Sequence, residues 1–152
     1  MMKTRTYLFL ITALLTSLGW SCGNRGETPS FSEVPEISLA SVAPLQVTAL
    51  RDSIVFSVEY TDGDGDLGDA DPDVENVFVK DLRINTLHGF RLQQLAPEGA
   101  EIPIQGVFTL TLPYTVITAG GGLETVRFDL YVVDRAGHQS NVVQSPEIQV
   151  SP

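Results

Sequence analysis

From Ser53 to Tyr60 polar and apolar residues alternate, with Ile54, Phe56, Val58 and Tyr60 on one side and Ser57 and Glu59 on the other. A repeat of two marks a strand with one face in a core. The same repeat aligns Phe108, Leu110 and Leu112 within 107–112, and Val126, Phe128, Leu130 and Val132 within 126–133. Weaker candidates are Ile37 to Val47, Val77 to Ile84, the surroundings of Phe90 to Leu92, and Val142 to Val150. Nowhere do apolar residues recur at helical spacing over three turns. Short strands separated by Gly, Pro and Asp predict an all-β domain over residues 36–152, a single antiparallel β-sandwich of about seven strands, with a small barrel as the alternative. In chain order the strands are A (37–47), B (53–60), C (77–84), D (near 88–104), E (107–112), F (126–133) and G (142–150).

Ahead of these strands the pattern changes. Lys3 and Arg5 precede an unbroken run of apolar residues and Thr/Ser from Tyr7 to Leu18, with small residues before Cys22. A charged start, a short apolar stretch and small residues make a secretory signal peptide, here 1–21. The run falls well short of the roughly 20 residues a membrane-spanning helix needs. Cys22, the sole cysteine, is preceded by Ser21 and followed by Gly23, Asn24, Arg25 and Gly26. This arrangement resembles a bacterial lipoprotein cleavage site, with the relaxed Gly19-Trp20 box found among Bacteroidetes lipoproteins. The resemblance implies acylation of Cys22, an anchor of several acyl chains in the outer membrane, and a domain on its periplasmic or exposed side. Ordinary secretion with a stray thiol is the other reading. Residues 22–35, with Pro29, Ser30, Ser32 and Pro35, read as a flexible tether.

Composition narrows the function classes. Of 152 residues 43% are hydrophobic and 18% charged, which is the balance of a folded domain and not of a disordered chain. Nine Lys and Arg against 19 Asp and Glu give a formal charge of −10, so a nucleic-acid partner is not expected. Loss of Lys3 and Arg5 with the signal leaves seven bases against 19 acids, or −12. One cysteine permits neither an intramolecular disulfide nor a cysteine-based zinc site.

Seven of the 19 acids fall between Thr61 and Glu75, a stretch without a base. At about 6 Å in water each like-charged pair costs only about 0.7 kcal/mol, but the cost rises as the loop packs against a low-dielectric core. A bound cation would reverse the sign. Calcium gathers six to eight oxygens, and carboxylates at alternate positions with glycines between them can supply several. Asp62, Asp64 and Asp66 have the 1, 3, 5 spacing of an EF-hand loop and Asp73 falls at position 12, yet Leu67 occupies the position that should be glycine. The loop is therefore not an EF-hand. The candidate ligands are Asp62, Asp64, Asp66, Asp69, Asp71 and Asp73. A plain solvated acidic turn is the competing reading, and magnesium, with its few rigid ligands, is a weaker fit than calcium.

Two segments carry a resemblance of fold. Residues 60–68, Tyr-Thr-Asp-Gly-Asp-Gly-Asp-Leu-Gly, are similar to a segment of Bacteroidetes lipoproteins with Ig-like folds. The stretch from Phe128 through Asp134 and Gly137 to Asn141 resembles the final hairpin of bacterial Ig-like domains. The sandwich implied is of the immunoglobulin or fibronectin III kind. In such a fold the B–C loop (61–76) and the F–G loop (134–141) share one end, so Asp134, and less directly Asn141, should face the acidic loop, and Asp134 joins the six loop aspartates as a candidate calcium ligand that completes a cage from two loops.

Other candidates are plainer. His88 and His138 have no third zinc ligand in register, Gly120–Gly122 lack the Lys of a phosphate loop, and Asp134, His138 and Ser140 come without a nucleophile elbow. Glu98 and Glu101 read as surface charges. The expectation is a non-enzymatic, lipid-anchored envelope protein making contacts with protein or glycan. The alternative is an accessory glycan-binding lipoprotein of a nutrient-uptake system, for which Tyr60, Tyr114 and Tyr131 are the available aromatic platform.

Overall fold

The computed structural model describes residues 30–152; the expected signal peptide, Cys22 and most of the tether lie outside the described residues. There the regular structure is all β, in three hydrogen-bonded sheets and not one closed barrel. None of it is a helix long and apolar enough to cross a membrane. β1 (Glu36–Ala43), β3 (Ile54–Asp62) and β6 (Ile104–Leu112) form an antiparallel sheet in the order β1-β3-β6. A second sheet runs β5 (Thr86–Phe90), β4 (Val77–Asp81), β8 (Phe128–Val132), β9 (Val143–Gln144). In the third, β10 (Ile148–Ser151) lies parallel to β2 (Gln46–Thr48) and antiparallel to β7 (Glu124–Val126).

The predicted alternation is realised almost residue by residue. Ile54, Phe56 and Val58 are fully buried and meet Phe108, Leu110 and Leu112 of β6, Val77 and Val79 of β4, and Phe128, Leu130 and Val132 of β8 in one core. Phe56 and Phe128 join the first two sheets by an edge-to-face contact with ring centroids 5.8 Å apart. Tyr60, next in the alternation, is half-buried beside Phe108.

Strands expected to be continuous are broken where the backbone loses a donor. Pro44 separates β1, paired with β3, from β2, paired with β10, so the first strand changes sheets. On the last hairpin the register slips between Asp129↔Gln144 and Val126↔Ile148, around Ser145 and Pro146. There the Phe128 amide donates to the Ser145 hydroxyl at 2.9 Å.

The expected D strand is corrected. Residues 86–90 pair with β4 and extend the second sheet, while residues 91–103 form no strand beyond an isolated bridge of Gln93 to Asp69. The cause is local: Asn85 takes a left-handed φ of 57°, turning the chain straight back along β4.

Candidate metal centre

Period two explains why the acidic loop starts inside the protein. Asp62 is the last residue of β3, in phase with Ile54, Phe56 and Val58, and it is 0% exposed. Asp134 follows β8 in phase with Phe128, Leu130 and Val132 and is also buried. Between Asp62 and Asp66 the chain curls: Leu67 inserts into the core, and Gly65 and Gly68 adopt φ of 78° and 82°. Both glycines are required by space as well, since a side-chain carbon on Gly65 would lie 2.6 Å from the Ile102 carbonyl and one on Gly68 would collide with that of Gln93. The segment 92–102 straps the loop through Ile102 N to Asp64 O (3.2 Å), Leu95 N to Leu67 O (3.3 Å) and Asp69 N to Leu92 O (3.0 Å).

The curl brings one carboxylate oxygen each from Asp62, Asp64 and Asp66 within 4.8 Å of one another, a group that could hold a metal ion. Two oxygens bound to calcium can lie at most about 4.6–5.2 Å apart, twice its usual bond length, so the spread fits such a sphere. Asp62 Oδ2 accepts from Leu67 N (3.1 Å) and Asp66 Oδ2 from Ala136 N (2.9 Å). The remaining oxygens, Asp62 Oδ1 and Asp66 Oδ1, are buried without any hydrogen-bond partner. A buried charge without a partner is costly, and the protein registers it as a proton affinity. Burial, above all, pushes the Asp62 carboxyl up to about 6; the Leu67 amide opposes the shift, and the charges of Asp64, Asp66 and Asp134 add to it. Asp66 is raised by burial and by Asp134.

Not every candidate ligand joins this group. Asp69 Oδ1 accepts from Asp71 N (2.8 Å) and Asp71 Oδ1 from Asp73 N (2.9 Å), so these residues build successive turns at the surface. Asp69, Asp71 and Asp73 thus lie outside the three-residue group. Asp134 faces Asp62 and Asp66 closely enough to raise both, but its own oxygens accept from His138 N (2.7 Å) and meet His138 Nδ1 (3.0 Å). Asn141 turns away from the acids: its amide accepts from Ile37 N and donates to Ile37 O, each at 2.8 Å, because the start of β1 offers an unpaired peptide.

Two arginines lie against the loop. Arg135 N donates to Asp66 O (3.3 Å), and its guanidinium donates to Gly68 O (2.8 Å) and Gly65 O (3.5 Å). Arg91 donates to the carbonyls of Asp69, Ala70 and Asp71. Both bind backbone oxygens, which charge spacing does not reveal; the adjacency of Arg135 to Asp134 is the one clue in the chain. The Ser140 hydroxyl is tied to Val132 N (3.0 Å) and Asn141 O (2.8 Å), not to His138. Tyr131 stacks on Phe78 with centroids 5.1 Å apart, so each ring covers one face of the other.

Comparison of the chain with family models, with curated proteins and with solved structures yields no match.

Proposed function

We propose that this chain is a non-catalytic, lipid-anchored protein of the bacterial cell envelope, whose single Ig-like, fibronectin III-like β-sandwich binds calcium at one end and serves contacts with protein or glycan. The sandwich reading draws on sheet order. β1-β3-β6 against β5-β4-β8-β9 corresponds to A-B-E against C′-C-F-G, with the third sheet continuing F and G past their bulge. Asp62 Oδ1 carries the calcium reading, being a fully buried carboxylate oxygen with no partner beside two further carboxylates. Oxygen-only donors favour a hard cation, and Asp62, Asp64 and Asp66 are the ligands. Asp134 adds its negative charge beside Asp62 and Asp66, and its bonds to His138 hold the F–G turn.

Calorimetric titration of the chain with calcium should give a saturable one-to-one heat that Asp64→Asn abolishes. Absence of that heat would remove the metal. The anchor has its own measurement. Cys22→Ser should move the protein from the membrane to the soluble fraction, and an intact mass showing an unmodified mature N-terminus in the wild type would overturn acylation.

A further inference from the structure

We propose that the cation at Asp62, Asp64 and Asp66 also controls how firmly residues 31–34, on the path to the anchor, are held against the domain; this rests on the calcium reading above. Gly63, between two of the ligands, donates its amide to the Ser32 carbonyl at 2.7 Å. A side-chain carbon at Gly63 would lie 2.5 Å from the Phe31 carbonyl and 2.7 Å from that of Ser32, so the N-terminal segment is laid directly on the loop backbone. Ser32 Oγ then accepts from Val34 N at 3.0 Å. The far side of the loop is tied to the F–G turn through Asp66 and Ala136, and the F–G turn to β1 through Asn141 and Ile37.

Asp62 is 0% exposed and its Oδ1 has no hydrogen-bond partner, so the carboxylates flanking Gly63 repel one another across a buried position. A cation drawn in by those oxygens fixes the Asp62–Asp64 peptides and with them the direction of the Gly63 amide. Without it the turn opens and Ser32 loses its donor. The next fixed point is Glu36, which opens β1 opposite Thr61, so release of residues 31–35 lengthens the reach between anchor and domain by up to about 17 Å. Calcium therefore sets how closely the domain is held to the membrane.

Amide hydrogen exchange on the full mature chain, in millimolar calcium and in chelator, tests this alongside titration calorimetry on the same sample. Calcium should slow exchange of the Gly63 amide and of the Val34 amide at least tenfold, while the β3 and β6 core amides stay protected in both conditions. In Asp64→Asn the calcium effect on these two amides should vanish. Gly63→Ala, which collides with Phe31 and Ser32 but keeps all three carboxylates, should still give a calcium heat while the amides at positions 63 and 34 exchange fast throughout. Calcium heat with unchanged exchange of the Gly63 and Val34 amides in the wild type would overturn the coupling and leave the metal site standing. No heat at all would overturn both.

Discussion

Asp62 and Asp81 are the same residue type in the same situation, an acid at the inward phase at the end of a strand, with opposite outcomes. Asp81 is 3% exposed and is held by Arg83, whose Nη2 lies 2.7 Å from its Oδ2 and which also reaches Glu124 (2.8 Å) and Thr115 (2.9 Å). Asp62 has no such cation among the side chains described. Removing Arg83 should therefore hurt and removing the Asp62 charge should help. Arg83→Met leaves Asp81 buried and unpaired, and should cost about 3–5 kcal/mol in urea unfolding. Asp62→Asn should stabilise the metal-free protein by about 1 kcal/mol or more while abolishing its response to calcium. The pH dependence follows in sign. A carboxyl at about 6 when folded and near its ordinary value when unfolded binds its proton more tightly in the fold. Its contribution is thus favourable below about pH 4 and is lost as pH rises through 6. Metal-free wild type should gain from this group between pH 7 and 5, and Asp62→Asn should not; equal pH slopes for the two proteins would show that Asp62 is not the group responsible.

At the scale of strands, alternation in the chain located β3, β6 and the β7–β8 pair, because each is buried on one face and the period of two is then imposed on the side chains. Carried two residues further, the same alternation reaches Asp62 and Asp134, so their burial was legible once the strands were drawn. The pairing of β5 with β4 was not, since residues 86–90 include exposed Leu87 and half-buried His88 and Gly89 and show no clear period. Nor were the breaks at Pro44 and Pro146, where loss of an amide donor interrupts a strand that the apolar pattern carries through. The structure repairs the second break with Ser145 and holds the end of β8 with Ser140, each hydroxyl accepting a buried amide. Ser145→Ala should leave the Phe128 amide without its side-chain acceptor and cost about 1–3 kcal/mol by denaturant unfolding. Because this bulge lies far along β8 from Asp134, calcium should stabilise Ser145→Ala as much as wild type. A calcium response that shrank in that variant would show that the bulge and the loop are coupled.

On the whole molecule, a formal charge of −10 means that any cation stabilises somewhat, so stabilisation by calcium alone does not establish a site. Screening and binding differ in what they require. Screening acts on solvated charges, such as Asp71 and Asp73 at the surface, and depends on ionic strength, the Debye length being about 10 Å at 0.1 M. It reaches poorly to Asp62 Oδ1 and Asp66 Oδ1, which solvent does not touch. A cation that binds only the folded protein instead stabilises by RT ln(1 + [Ca]/Kd), about 2.7 kcal/mol at a hundredfold excess over Kd, and needs particular ligands. Melting curves in calcium, in magnesium and in sodium chloride at matched ionic strength should therefore separate, with calcium raising the midpoint most. Asp64→Asn should remove that excess and leave the sodium response unchanged, since one surface charge fewer hardly alters screening. Asp71→Asn and Asp73→Asn should keep the full calcium effect, because the Asp71 carboxylate caps a turn of its own and neither residue belongs to the three-residue group. Coincident curves in calcium and matched sodium chloride would reduce the acidic loop to a screened turn. Loss of the calcium effect in Asp71→Asn or Asp73→Asn would instead move the site outward, to the part of the loop held by Arg91.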